Sequence, residues 1–454
     1  MKPLVRRAVA IAAVLAVSAA TFYSVTRGRH LQLTAPEVFL GAAPFVGRDF
    51  RDGWDWRFAW SLVGAIVILS ATALATLRGW WWRVRVGWVV AGAAIGAGAF
   101  GVLLALTDGF DGLTHGAADP SEYWANLSKT PPAGEFLRTF VAHLGRYSVH
   151  VRGHPPGFTL LLKLLGAADL SRVWPVAGLS ILGAVALPIG VLITVRAVAG
   201  DDWVRRSAPF LVVSPYAIWL VTSADSLYAA VGAVGVAAIA VSLRAVLRRC
   251  AVIGGLFGGV LLGLLIFGTY LGVLVGLVAI GCAFGRWRRD RRGVVIVLVA
   301  AMVGGLAVVV VFRAAGFWWF DGVDQTKREY WAGSAQFRPF SYFVVANLVV
   351  ALAAIGPAGA FGLIRRLATR AEPLLEGDRK IWLLVGGALT ALLISNFSRY
   401  TKGEVERIWL LFYPWIVLAA SSLHRRHRPR CATRWVVLQG AAAIVLQAVL
   451  LTKW

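Results

Sequence analysis

Pro155-Pro156-Gly157-Phe158-Thr159-Leu160-Leu161-Leu162-Lys163-Leu164-Leu165-Gly166-Ala167-Ala168 is the stretch that decides how the rest of the chain crosses a membrane. Longer apolar runs surround it at 7–26, 57–77, 86–106, 173–195, 207–222, 226–243, 251–267, 271–285, 293–313, 341–362, 381–397, 408–424 and 435–451, each a candidate transmembrane helix. If 155–168 also crossed, every later loop would invert. Arg244/Arg248/Arg249, Arg286/Arg288/Arg289/Arg291/Arg292 and Arg425/Arg426/Arg428/Arg430 would then face outward, against the tendency of basic loops to stay in the cytoplasm. The segment is therefore expected to form a surface or re-entrant helix. That leaves about 13 transmembrane helices, with the amino terminus inside and the carboxyl terminus outside. The expected fold is an all-α polytopic membrane protein.

Composition agrees with this reading. Of 454 residues 59% are hydrophobic and 15% charged, and the mean hydropathy is +0.72; ordinary soluble domains carry roughly 25% charged residues. The formal net charge of +24 comes mainly from arginine. These bases stand in short clusters between apolar runs, where they record topology, so no nucleic-acid partner is expected. On this topology most acids fall outside, where loops 27–56, 107–172, 314–340 and 398–407 would converge. Lys2, Arg6 and Arg7 before an apolar run read as the start of an uncleaved first helix. Cys250, Cys282 and Cys431 are too scattered for a disulfide framework. No HExxH and no Cys/His ligand spacing appears, so no metal and no cofactor is expected; a divalent cation on the outer acids is the minor alternative.

The polar loop 108–157 carries the candidate active site. Asp108 and Asp111 follow directly on the run 86–106, at the outer interface, where partial desolvation raises a carboxylate's pKa and makes it a better general base; they would otherwise simply end a span. His154-Pro155-Pro156-Gly157 favours a helix start whose free N–H groups and positive dipole end point back toward Arg152 and His154. That arrangement suits a phosphate, or else a proline-stiffened anchor. Asp225 lies in a tight outer turn between two apolar runs, as a functional acid or as the N-cap of the next helix. Tyr270, at a similar turn, is an interfacial aromatic or a ligand contact. Phe317-Trp318-Trp319-Phe320 is an interface belt or a sugar-stacking surface, and Arg338, among aromatics before a span, suits a lipid phosphate. Arg399, Lys402 and Arg407 share a short outer loop with Glu404 and Glu406. They ask for an anionic partner, or form a self-neutralising turn. Glu122, Tyr123, Arg152, Asp225, Tyr270 and Glu404 complete the set as candidate substrate contacts.

These parts resemble the GT-C superfamily of membrane glycosyltransferases, including protein O-mannosyltransferases and aminoarabinose transferases acting on lipid A. Those families have an acidic residue just after a transmembrane helix in the first large outer loop, matched here by Asp108 or Asp111. Late in that loop they have a His-Pro-Pro sequence that starts a surface helix, matched by His154-Pro155-Pro156. The order of parts continues to a span ending in a short outer turn with an acid, here Asp225. The resemblance covers roughly 86–425 and implies three parts: two amino-terminal transmembrane helices and an outer loop in 1–85, a GT-C-like core in 86–425 with its outer catalytic loop at 107–157, and a carboxyl-terminal transmembrane helix in 426–454. The acids are separated as Asp108-Gly109-Phe110-Asp111 where the families pair them, which leaves the identity of the base open. No soluble outer domain is expected after the last span, and nothing in these residues identifies a protein acceptor. The Arg and Ala richness is similar to that of integral membrane proteins of GC-rich actinobacteria.

The resemblance implies a glycosyltransferase that moves a sugar, with inversion, from a polyprenyl-phosphate donor to an acceptor hydroxyl on a glycan, lipid or protein at the outer face of a bacterial plasma membrane. Asp108 or Asp111 would take the acceptor's proton, and His154, Arg338, Arg399, Lys402 and Arg407 would hold the lipid phosphate. The alternative from another class is a transporter or lipid flippase. A translocation path needs ionisable or helix-breaking groups near the midplane, whereas the polar residues of the expected spans are Asn347, Asn396, Gln439 and Gln447, isolated or near ends.

Overall fold

The computed structural model describes residues 3–35, 38, 40, 56–168, 170, 172–369 and 374–450, which leaves out most of the outer loop expected at 27–56. The described residues are overwhelmingly helical. The first half contains α1 (Pro3–Thr34), α2 (Trp60–Leu77), α3 (Val86–Ala105), α4 (Asp111–Ala118), α5 (Gly157–Ala167), α6 (Val173–Ala199), α7 (Asp201–Val212) and α8 (Asp225–Ser242). The second half contains α9 (Arg248–Gly268), α10 (Gly276–Trp287), α11 (Arg291–Ala314), α12 (Trp319–Ala332), α13 (Phe340–Ala368), α14 (Glu376–Phe397), α15 (Val405–Ile408), α16 (Tyr413–Val417) and α17 (Pro429–Val449). Among the described residues, 11 helices are long and apolar enough to cross a membrane, which makes the chain a multi-pass helical membrane protein.

The 11 helices account for all but two of the runs expected to span; 207–222 and 408–424 are broken instead. The first is the end of α7 followed by the 3-10 turn Pro215–Trp219; the second chains α15, α16 and three-residue-per-turn helix as far as Leu423. Proline is the physical reason. Pro209 and Pro215 in the first, and Pro414 in the second, lack the N–H that would continue the hydrogen-bond ladder. Irregular backbone at membrane depth survives only where protein covers it. Both segments meet that condition, since nearly every residue from Ser207 to Ser223 and from Val405 to Ser421 is buried. They form an inner column that the regular helices surround.

The outer layer packs by close backbone approach. Gly255 and Gly259 of α9 face α11: a Cβ at Gly259 would meet the Ala301 carbonyl oxygen at 1.9 Å, and one at Gly304 would meet that of Leu256 at 2.2 Å. Such small-residue seams replace the hydrophobic driving force that lipid removes. α1 runs on to Thr34, past the expected end near residue 26. α5, at 11 residues, is too short to span a hydrocarbon core of about 30 Å, in line with the surface or re-entrant reading. The long loop gathers at one end of the bundle, where α6 and α8 begin and α14 finishes; α6 and α8 end, and α14 begins, at the opposite end.

Candidate functional site

The loop between α4 and α5 is folded by its own polar groups. Asp119 accepts from the Ser121 amide at 2.7 Å and from its hydroxyl, and Asn126 Nδ2 donates to the carbonyls of Pro120 (2.7 Å) and Glu122 (3.0 Å). The His150 amide donates to the Ser121 carbonyl at 3.1 Å, which draws the two ends of the loop together. These bonds turn Glu122, Tyr123 and His150 inward, where all three are buried.

They meet Arg407. This residue lies on α15, at the mouth of the second broken segment, and its side chain is 4% exposed. Its guanidinium donates to Asp225 Oδ2 at 2.8 Å, to Glu404 Oε2 at 2.8 Å and to His150 Nδ1 at 3.1 Å. Because arginine can only donate, His150 Nδ1 accepts, and the ring proton sits on Nε2, 3.3 Å from Glu122 Oε1. Burial opposes the charge on Arg407, yet Asp225, Glu404 and Glu122 hold its pKa above the ordinary arginine value. Burial pushes the Glu122 carboxyl up to about 8, with Arg407 pulling the other way. Glu122 is therefore neutral at neutral pH, and Arg407 is balanced by Asp225 and Glu404.

Glu404 itself is held at φ 59°, a left-handed conformation that costs a non-glycine residue on the order of 1 kcal/mol. That turn aims its carboxylate at Arg407 and, at 3.8 Å, at Arg338. Arg338 donates to the Lys402 carbonyl, and Lys402 Nζ donates to the Ala335 carbonyl at 2.9 Å while lying 4.4 Å over the Trp331 ring. Burial lowers the Lys402 pKa. On the other flank, His154 Nδ1–H donates to the His150 carbonyl at 2.9 Å, and the ring stands edge-on to Tyr123 and tilted against Tyr228, whose hydroxyl donates to that of Tyr123 at 3.3 Å. Burial pushes His154 below the usual histidine range, so it faces the network as a neutral imidazole. A narrow cleft of about 20 Å³ lies beside it, lined by Glu122, Tyr123, Gly116, Ser223 and Ala224 among others.

The structure thus brings Glu122, Tyr123, His154, Asp225, Arg338, Lys402, Glu404 and Arg407 into one continuous network. The other candidates stand apart. Asp108 is ion-paired with Arg57, whose Nη2 also donates at 2.6 Å to the carbonyls of Gln447 and Leu450 at the end of α17. Asp111 is exposed in the first turn of α4, roughly 7.5 Å of helix rise from Gly116 in the cleft wall. Arg152 pairs with Glu329 at 3.3 Å, and Tyr270 meets Thr326 at 3.4 Å, so both join α12. Arg399 is exposed, 5.1 Å from the Phe340 ring. Sequence reasoning missed His150, Tyr228 and Arg57. Only His150 carried a signal, as one of four histidines in the long loop, and nothing in its spacing set it apart. Among the described residues, no group of three or more His, Cys, Asp or Glu side chains is placed to hold a metal ion.

No family model and no curated protein matches the sequence. Among solved structures, the chain is similar to the oligosaccharyltransferase of Archaeoglobus fulgidus, crystallised with zinc and sulfate, at 12% identity and a TM-score of 0.42 over 70% of this chain and 49% of that one, so that it spans about half that protein's length.

Proposed function

We propose that this chain is a membrane glycosyltransferase of the GT-C kind, which transfers a sugar from a polyprenyl-phosphate donor to an acceptor hydroxyl at the outer face of a bacterial plasma membrane. The observation that carries the reading is the ionisable network around Arg407, assembled from four distant stretches of chain at one end of the helical bundle and opening on a cleft. A transporter would place such groups along a path through the middle. Here the deep polar groups are tied to the fold: Asn347 donates to Asn396 at 3.1 Å, and Gln439 bridges α13. The structural likeness to an oligosaccharyltransferase is too distant to add weight.

The acceptor hydroxyl attacks the sugar's anomeric carbon as its proton passes to a carboxylate; the anomeric C–O bond breaks, and polyprenyl phosphate leaves with the electron pair, inverting the centre. Asp108 is engaged by Arg57, so the role of base falls to Asp111, which is exposed at the start of the helix whose Gly116 lines the cleft. Arg338 and Lys402 lie nearest the network as cations for the departing phosphate, with exposed Arg399 at the rim. Arg407 is engaged by Asp225, Glu404 and His150 and positions the site. His154, as a neutral imidazole, offers one hydrogen bond.

The test is release of polyprenyl phosphate by purified protein in proteoliposomes supplied with a panel of labelled polyprenyl-phosphate hexoses and pentoses and a membrane extract as acceptor. Asp111→Asn is expected to lower turnover at least ~100-fold, the usual scale of general-base loss, while Asp108→Asn acts mainly on stability. Full activity in Asp111→Asn removes that residue from the mechanism; transport without any covalent transfer overturns the function.

A further inference from the structure

We propose that the opposite end of the bundle carries a second site, a pocket for a phosphate-bearing anion. Helices α6, α8, α10 and α14 meet there around a cavity of about 240 Å³ lined by Arg244, Arg286, Arg289 and Lys380, with Gly200 and Cys282 in its wall. Along α6, whose 27 residues rise roughly 40 Å, this pocket is a full helix length from the Arg407 network.

The four bases are poorly neutralised. Among the described residues, Glu376 is the carboxylate that pairs with them, at 2.6 Å from Arg289 and 2.9 Å from Lys380. Arg244 donates to the backbone carbonyls of Ala197 (3.2 Å) and Arg196 (3.4 Å), where it meets the negative end of α6 and keeps donors to spare. Arg286 is half-buried, its Nε is buried, and its guanidinium has no hydrogen-bond or ion-pair partner among the described residues. A guanidinium drawn out of water without a partner forfeits hydration for no return, and its planar fork matches two oxygens of a phosphate. Arg244 and Arg289 are exposed at the pocket's rim and Arg286 is the half-buried arginine in its wall, whereas Arg248, Arg249 and Arg288 lie outside the pocket at the same end. The pocket is also flanked on α10 by exposed Phe284 and Trp287, along which acyl chains could lie. The shared chemistry is a phosphate group, carried by an anionic phospholipid or by a soluble phosphate.

Two probes separate these sources. Phosphatidylglycerol is titrated into the full-length protein in phosphatidylcholine nanodiscs with native mass spectrometry as readout, and inorganic phosphate is titrated in parallel with thermal protection as readout. Arg244→Gln/Arg286→Gln is expected to lose at least ~10-fold in affinity, the scale of one charge-assisted contact. Arg425→Gln/Arg428→Gln, at the same end but outside the pocket, keeps wild-type binding. Arg286→Lys, which retains the charge and loses the fork, falls between them and gives the same readout should the double variant fail to fold. Binding of phosphatidylglycerol alone assigns the site to lipid, and protection by inorganic phosphate assigns it to a soluble ligand. Failure of both probes to bind wild type, or equal binding by wild type and the pocket variants, overturns the proposal.

Discussion

Glu122 is neutral at neutral pH because burial outweighs the pull of Arg407, which lifts its carboxyl from 4.5 to about 8. The sign of the consequence follows from proton counts. Between those values the folded chain keeps a proton that the unfolded chain has released, so stability falls as pH rises through that window. Glu122→Gln imitates the neutral acid and cannot ionise in either state. Its melting temperature is therefore expected to exceed that of wild type by a margin that grows from about pH 5 to about pH 8 and then levels off; a constant margin across that range removes the buried-acid assignment. At this scale the sequence was legible where a charge stood alone. Asp225 and Arg407 each interrupt apolar surroundings at short turns, and they prove to be partners at 2.8 Å across 182 positions of chain. Arg57 and Asp108 were not legible as a pair, since nothing local announces that Arg57 will hold the last carbonyls of α17 as well.

Hydropathy reads the length of an apolar run but not whether its backbone is continuous, so the two broken elements at 207–222 and 408–424 looked like ordinary spans. Their prolines were visible, but what makes the breaks tolerable is complete burial, a property of the assembled bundle. α13 shows the same rule with its cost itemised. Gly356 stands at φ 73° before Pro357 and kinks the helix, which leaves backbone groups unpaired inside it. Gln439 of α17 repairs the gap: its Oε1 accepts from the Ala358 amide at 2.9 Å, and its Nε2 donates to the Ile355 carbonyl at 2.8 Å and to Ser214 Oγ at 3.2 Å. Gln439→Leu strands a buried donor and a buried acceptor at about 1–3 kcal/mol each, so a loss of about 2–6 kcal/mol is expected in detergent-solubilised protein, whereas Gln439→Glu keeps one of the two contacts and loses less. Equal melting of Gln439→Leu and wild type would show the kink to be self-sufficient.

The whole molecule is a polarised bundle, and its polarity joins the two sites. The carboxylates of the network gather where α8 begins and α14 ends, and the arginine-rich turns gather at the other end, around the pocket of Arg244 and Arg286. The run of apolar segments and the basic clusters foretold this separation, because both follow from membrane insertion energetics acting locally on sequence. Which residues meet within the carboxylate-rich end was beyond that reach, since it depends on packing between stretches hundreds of residues apart. The orientation can be checked with the protein's own thiols. Cys250 and Cys431, at the starts of α9 and α17, are exposed at the arginine-rich end, and Cys282 is buried. If basic turns stay in the cytoplasm, a membrane-impermeant maleimide will leave intact spheroplasts unlabelled and will modify Cys250 and Cys431, but not Cys282, in inverted vesicles. Labelling of either exposed cysteine from outside would invert the bundle, move the Glu122–Arg407 network to the cytoplasmic face, and so remove the lipid-linked donor's side of the membrane from the proposed reaction.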